Sequence, residues 1–347
     1  MHKQLGGKLS PEDLASYSRS PQWRNGAFQN EEVTAAAPPM RKMPGIILKM
    51  LRGNKAPRPA MPLPIAPFDA SSFLEDAPRA KFIWYGHSAL MIRVAGKTIL
   101  SDPMLGPDTS PVGPFRTRRF SDDSLGVIDD FPEIDLVLLT HDHYDHLDLA
   151  SILKLQQKVK QYFVALGVKR HLVSWGVSPE LITEFDWWDE SSFAGMQIHF
   201  TPGRHFSGRG LRDRAKCLWG GWVLETPSEK IWISGDSGYG AHFKTIGERF
   251  GSFDMAFLEC GQYGEDWPLI HMFPGEAVQA ALDANVRVAM PVHWAGFTLS
   301  YQHTWYEPVE AFGMLAKDKK LDFITPPLGT IFHAGSGLLD PWWNPYK

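Results

Sequence analysis

Three histidines and two aspartates fall within six consecutive positions: His141, Asp142, His143, Asp145 and His146. Imidazole and carboxylate at that density suit a borderline divalent cation such as zinc. A solvated polar loop accounts for a lone histidine. It accounts poorly for this cluster, because other ligand-capable side chains also stand at the ends of apolar runs. His205 follows the run GMQIHFTPG, Asp236 ends KIWISGD and His293 ends RVAMPVH. A chain that repeats this pattern is converging ligands at one sheet edge, where α/β folds place their sites. Metals held there point to hydrolysis and leave the substrate open.

The elements that must position these residues are short. Residues 81–85, 88–94 and 97–100 read as a strand meander, broken at Gly86 and at Ala95-Gly96. Residues 134–140 (IDLVLLT) read as a buried strand delivering the histidine cluster. A helix is expected over 148–158. Strands follow near 162–165, 182–185, 195–201, 217–225, 230–234, 287–292, 321–325 and 329–333. Helices are expected over 240–249, 273–284 and 307–317. That alternation predicts layered α/β packing. Cys217 and Cys260 read as small buried hydrophobes lying in strands, outside any ligand spacing.

The first 75 residues read differently, as an N-terminal extension around a catalytic domain spanning 76–347. Ser10-Pro11-Glu12-Asp13 carries the signature of a helix start. Residues 33–68 hold eight prolines, six basic residues and no acid. Ile46, Ile47, Met50 and Leu51 form a short apolar helical face flanked by Lys49 and Arg52, suited to packing on the domain or to an anionic membrane surface. The whole chain of 347 residues has 35 basic and 39 acidic side chains, a net charge of −4, which argues against nucleic acid as a partner. Two cysteines, no signal-peptide apolar region and no membrane-spanning run lead to the expectation of a cytoplasmic protein, with peripheral membrane contact left open. An oligomer is also left open, with Pro341-Trp342-Trp343 reading as an interface or a docked tail.

The string H-x-H-x-D-H at 141–146, with a later His, Asp and His, resembles the metallo-β-lactamase superfamily. Further strings narrow the resemblance to the phospholipase D enzymes that hydrolyse N-acyl-phosphatidylethanolamine. They are Gly86-His87-Ser88, Ser101-Asp102-Pro103, Gly113-Pro114, Phe185-Asp186-Trp187-Trp188, Trp219-Gly220 with Trp222, Gly235-Asp236-Ser237-Gly238-Tyr239, Phe250-Gly251 with Phe253-Asp254, and His293-Trp294. Together they cover about residues 80–335. The resemblance implies a four-layer αββα sandwich and two divalent ions, zinc first, with manganese or iron also compatible. His141, His143 and His205 would hold one ion, Asp145, His146 and His293 the other, with Asp236 bridging. A shared hydroxide would attack a phosphodiester, oriented by Asp145 or Asp236. His271, before the helix start PGEA, would support catalysis, although one residue is added between its proline and glutamate. His87 and Asp102 would support the ligands by hydrogen bonding.

The resemblance and the basic extension favour a phospholipid substrate. Trp84, Trp187, Trp188, Trp267 and Trp294 are candidates to wall an acyl groove, and Arg116, Arg118, Arg119, Arg204 and Arg209 to receive a phosphate. Departures around Phe28-Gln29-Asn30-Glu31, Trp267-Pro268 and His271 fall in segments that would shape the pocket. A lactonase or phosphosugar hydrolase acting on a soluble substrate is the alternative. A non-enzymatic metal-binding protein is a third reading, opposed by the intact ligand set.

Overall fold

The computed structural model describes residues 3–35, 44–46, 48, 57–109, 117–210, 212–337 and 340–347. The chain opens with α1 (Pro11–Tyr17), the hairpin β1 (Trp23–Arg24) and β2 (Ala27–Phe28), and α2 (Ala70–Leu74). At α1 the Ser10 hydroxyl accepts from Asp13 N, and the Asp13 carboxylate accepts from Ser10 N, so the predicted capping box forms.

Next come β3 (Lys81–Trp84), β4 (Leu90–Val94), β5 (Lys97–Ser101), β6 (Leu136–Leu139), α3 (Leu149–Leu155), β7 (Tyr162–Ala165), α4 (Lys169–Ser174) and β8 (Ile182–Phe185). The second half holds β9 (Glu190–Phe193), β10 (Met196–Thr201), β11 (Gly221–Glu225), β12 (Lys230–Ile233), α5 (His242–Phe250), β13 (Met255–Glu259), α6 (Pro274–Asp283), β14 (Val288–Val292), α7 (Glu307–Asp318), β15 (Asp322–Phe323) and β16 (Ile331–Phe332).

The strands make two seven-stranded mixed sheets, ordered β16-β3-β4-β5-β6-β7-β8 and β15-β14-β13-β12-β11-β10-β9. In each, a meander of antiparallel strands runs into a parallel half. The parallel strands β6, β7 and β13 are buried at every position, as strands covered on both faces require. The sheets pack face to face through contacts such as Phe82 on Phe257 (ring centroids 5.1 Å) and Phe185 on Trp222 (5.1 Å). Helices α5, α6 and α7 cover the outside of the second sheet, with Phe243, Ala277, Ala281 and Phe312 on Val223, Ala256 and Leu258. Ile152 and Leu155 of α3 and Leu172 of α4 join the core of the first. The result is the expected four-layer αββα sandwich.

The sequence reading overlooked α2, α4, β1, β2, β9 and β13, and placed a strand over 217–225 where only Gly221–Glu225 is extended. Cys217 and Cys260 are buried as expected, but Cys217 lies in the segment before β11 and Cys260 just after β13, neither within a strand. The proline-rich segment packs on the domain where it is described. Leu63 is buried, its N–H donates to Phe120 O, and Arg58 donates to Arg118 O. Ile46 is buried, whereas Ile47, Lys49, Met50, Leu51 and Arg52, like Gly113, Pro114 and Arg116, lie outside the described residues. At the other end Trp342 stacks on Trp294 (5.7 Å) and Trp343 is buried against it, so the tail is docked. Among the described residues no helix is long and apolar enough to cross a membrane.

Candidate metal centre

Six strands end at one edge of the sandwich and carry the site there. Asp102 follows β5, the 141–147 loop follows β6, His205 follows β10, Asp236 follows β12, Glu259 ends β13 and His293 follows β14. The loop folds back on itself through Leu147 N donating to His143 O, and Asp148 then caps α3 by accepting from Ser151 N. His87, in the β3–β4 turn, and His293 adopt left-handed backbone conformations (φ 55° and 71°). Such conformations are uncommon outside glycine and are held in place here by the surrounding bonds: His87 N donates to Trp294 O, and His293 N to His87 O.

Two groups of side chains converge. His141, His143, His205 and Asp236 bring one ligand atom each within 4.8 Å of one another, and so do His87, Asp145, His146 and His293. Asp236 joins them: its Oδ1 lies 3.1 Å from His146 Nε2, and its Oδ2 lies 3.2 Å from His293 Nε2 and 3.7 Å from His205 Nε2. All seven expected ligands therefore meet in one place, with the expected carboxylate between the two groups.

The donor chemistry fits a cation. Thr140 Oγ1 gives its single proton to Asp102 (2.7 Å), so it accepts from His141 Nδ1 (3.0 Å). His205 Nδ1 donates to Ile270 O and His146 Nδ1 to Asp102 Oδ2, both at 2.9 Å. At His141 and His205 the outer nitrogen is thus protonated and anchored, and the inner Nε2 is left with a lone pair. His141 Nε2 and His205 Nε2 then face His143 Nδ1 at 2.9 and 3.2 Å. One proton cannot satisfy three converging lone pairs, whereas a divalent ion can.

Burial and the neighbouring histidines hold His141 well below the ordinary histidine range, and burial does the same for His205, so both stay neutral. Burial also acts on His293, but Asp236, Asp145 and Glu259 outweigh it and raise that group to about 10. Asp236 is pushed up by burial, yet His146 and His293 prevail and keep it ionised.

The residues expected to support the ligands lie against them. His87 Nε2 lies 2.9 Å from Asp145 Oδ2, and Asp102 holds both Thr140 and His146. His271 projects into the site: its Nδ1 donates to Glu259 Oε1 at 2.9 Å, and its ring groups with Asp236 and His293. Glu259 itself was overlooked. It is 1% exposed, lies 3.5 Å from His293 Nδ1 and accepts from Met272 N. It ends an apolar run, the same signal that marked His205, Asp236 and His293.

A cavity of about 180 Å³ opens over the site, lined by His143, Asp145, Asp236 and His271 and walled by Phe206, Trp267, Ile270 and Leu299. Trp267 is the one expected aromatic that lines it. Trp84, Trp187 and Trp294 are buried core, and Trp188 carries Arg249 on its outer face. The expected arginines do other work as well. Arg119 donates to Met104 O and Tyr85 O, Arg204 to Tyr239 O and Val33 O, and Arg209 to backbone carbonyls, while the backbone of Arg118 pairs with that of Asp108 in an isolated β-bridge.

A second cluster, also overlooked, lies behind the loop. Asp142, His171 and Cys217 are fully buried, with His171 Nε2 3.4 Å from Asp142 Oδ2 and 3.6 Å from Cys217 Sγ. Gly7 N donates to His171 Nδ1 (3.1 Å), so the neutral ring carries its proton on Nε2. That tautomer turns an N–H toward Asp142 and Cys217, the opposite of what a cation needs.

Comparison with known proteins gives the family and the fold. Residues 97–294, more than half of the chain, match the beta-lactamase superfamily domain. An uncharacterized protein of Mycobacterium tuberculosis (strain H37Rv) is 35% identical over 94% of this chain and 88% of its own length. The N-acyl-phosphatidylethanolamine-hydrolyzing phospholipase D 1 of Caenorhabditis elegans is 29% identical over 72% of this chain and 75% of its own length. Among solved structures, the metallo hydrolase Igni18 of Ignicoccus hospitalis shares the fold with a TM-score of 0.55 at 22% identity, covering 73% of this chain and 98% of Igni18.

Proposed function

The chain belongs to the metallo-β-lactamase superfamily of metal-dependent hydrolases, and from that premise we propose that it cleaves a phosphodiester in an N-acyl phospholipid, in the manner of a phospholipase D. One observation carries the reading: two histidine–carboxylate groups share Asp236 beneath a cavity whose walls are apolar. In this reading His141, His143 and His205 hold one divalent ion, Asp145, His146 and His293 hold the second, and Asp236 serves both. The ions, when bound, supply a nucleophilic hydroxide and neutralise phosphoryl oxygens.

The chain's own residues do the rest. Asp102 and His87 fix the ring of His146 and the carboxylate of Asp145, so the ligands keep their orientation as charge develops. Asp236 and Asp145 are the acceptors placed to orient the attacking water. Glu259 holds His271 through Nδ1, which leaves Nε2 free to hold a proton beside the leaving oxygen. Phe206, Trp267, Ile270 and the half-exposed Leu299 offer an apolar wall to an acyl chain. The similarity to the nematode phospholipase supports this substrate class over a soluble lactone or phosphosugar.

The test has two parts. Metal content by mass spectrometry, with chelator-sensitive hydrolysis of bis-p-nitrophenyl phosphate, should give near two ions per chain and turnover. Hydrolysis of N-acyl-phosphatidylethanolamine in vesicles should then exceed that of a soluble lactone. Two ions with lactone turnover alone would select the alternative, and bound metal without any turnover would select a binding protein.

A further inference from the structure

We propose that Arg209, held by an N-terminal strap of residues Lys3–Gly7, is a positioning residue that sets the metal-binding loop from its reverse side. The proposal rests on reading that loop as a metal site. Arg209 is 5% exposed, and its guanidinium is used on main-chain carbonyls. Nη1 donates to Asp142 O at 2.6 Å and to Leu147 O at 2.7 Å. Those two acceptors bracket His143, Asp145 and His146, so a single side chain spans the loop from end to end. The guanidinium also lies 4.0 Å from the Tyr144 ring centroid, and the Tyr144 hydroxyl donates back to Arg209 O at 2.6 Å. Only arginine has a rigid fork of donors that can reach several carbonyls at once.

The third arm of the fork leads to the strap. Arg209 Nε donates to Gln4 O at 3.0 Å. Trp175, whose ring lies 5.2 Å from the same guanidinium, donates through Nε1 to Lys3 O at 2.6 Å. Arg170 Nε donates to Gly7 O, and Gly7 N donates to His171, the residue facing Asp142. The strap is therefore tied to the loop by two routes, Arg209 and the His171–Asp142 pair. Its approach is too close for a side chain. A Cβ on Gly7 would stand 2.1 Å from Arg170 O, and one on Gly6, where φ is +77°, would stand 1.9 Å from His171 Nδ1. Two adjacent glycines are what this contact requires.

Groups that orient metal ligands from behind typically set metal affinity by about 10- to 100-fold. The experiment uses the full chain with Arg209→Lys and, separately, Gly7→Ala, which leaves every loop side chain intact. Zn(II) affinity is read by chelator competition, and amide exchange at His146 and Leu147 is read on metal-free protein. Both variants should bind Zn(II) about 10- to 100-fold more weakly and exchange faster at those two amides. A purely structural role would lower the melting temperature and leave the Zn(II) affinity of the folded protein unchanged. A folded variant with wild-type affinity and wild-type exchange overturns the proposal. Should Arg209→Lys fail to fold, Gly7→Ala decides alone. A wild-type chain that binds no Zn(II) would sink the metal-site reading instead, and the exchange arm would still report whether the strap holds the loop.

Discussion

The 141–147 loop has two faces built from neighbouring residues, and they do opposite things. His141, His143, Asp145 and His146 turn toward Asp236 beneath the cavity, with the outer nitrogens of His141 and His146 anchored. Asp142 turns the other way, into a sealed cluster with His171 and Cys217 under the strap. Both faces are rich in residues that bind metals, so residue type does not separate them. The tautomer does. On the open face the protonated nitrogens point outward to fixed acceptors, whereas behind the loop the Gly7 N–H takes the Nδ1 lone pair of His171. The lesson is that a ligand set is defined by where its protons are held.

Breaking the open face should have the largest effects. Asp236→Asn removes the carboxylate shared by both groups, and loss of several kcal/mol of charge stabilisation is on the order of 1,000-fold in turnover. Steady-state hydrolysis together with metal content checks it, and near-full activity would end the role assigned to Asp236. His271→Ala should lower turnover by roughly 100-fold or more while two ions remain bound. Lost metal in that variant would make His271 a ligand instead. Glu259→Gln, one layer further out, should weaken metal binding or turnover by about 10- to 100-fold, because it supports both His271 and His293.

The reverse face should answer to pH. Burial, with Arg170 beside it, holds His171 down at about 4, against 6.5 for the free side chain. The unfolded chain then binds protons that the folded chain refuses, so this stability is complete above pH 6.5 and declines as pH falls toward 4. Melting curves of metal-free protein across that window should show the decline, and His171→Gln should flatten it by about one proton. A His171→Gln variant with the wild-type pH slope would remove that residue from the account. The smallest effect is expected for Cys217→Ser, which should leave metal content and turnover unchanged. A lost metal ion in that variant would erase the distinction between the two faces.

Much of the open face was legible in the sequence because each ligand ends a strand. An apolar run followed at once by His or Asp is a local pattern, and strand ends in one sheet must share an edge, so His141, Asp236 and His293 could be grouped before any coordinates. Glu259 carried the same signal within MAFLE and was passed over because β13 was. Asp102 and His87 were legible as supports for the ligands, but which residue each holds depends on partners 38 and 58 residues away.

The tryptophans and arginines show the limit of residue type. Composition makes Trp84 and Trp294 equal candidates with Trp267 for a pocket wall. Packing between and behind the sheets buries the first two, and the loop after β13 leaves Trp267 at the opening. Arg209 looked like a phosphate receptor, and only the meeting of residues 4, 142, 147 and 209 shows a clamp on carbonyls. The sequence by itself determined most of the strands, the ligand types and the edge where they meet, because periodicity and strand ends are local properties. The tertiary structure decided which ring nitrogen faces inward, which aromatics reach the cavity and what the N-terminus touches. Those depend on hydrogen-bond partners far apart in the chain, 205 residues in the case of Arg209 and Gln4, which no local pattern encodes.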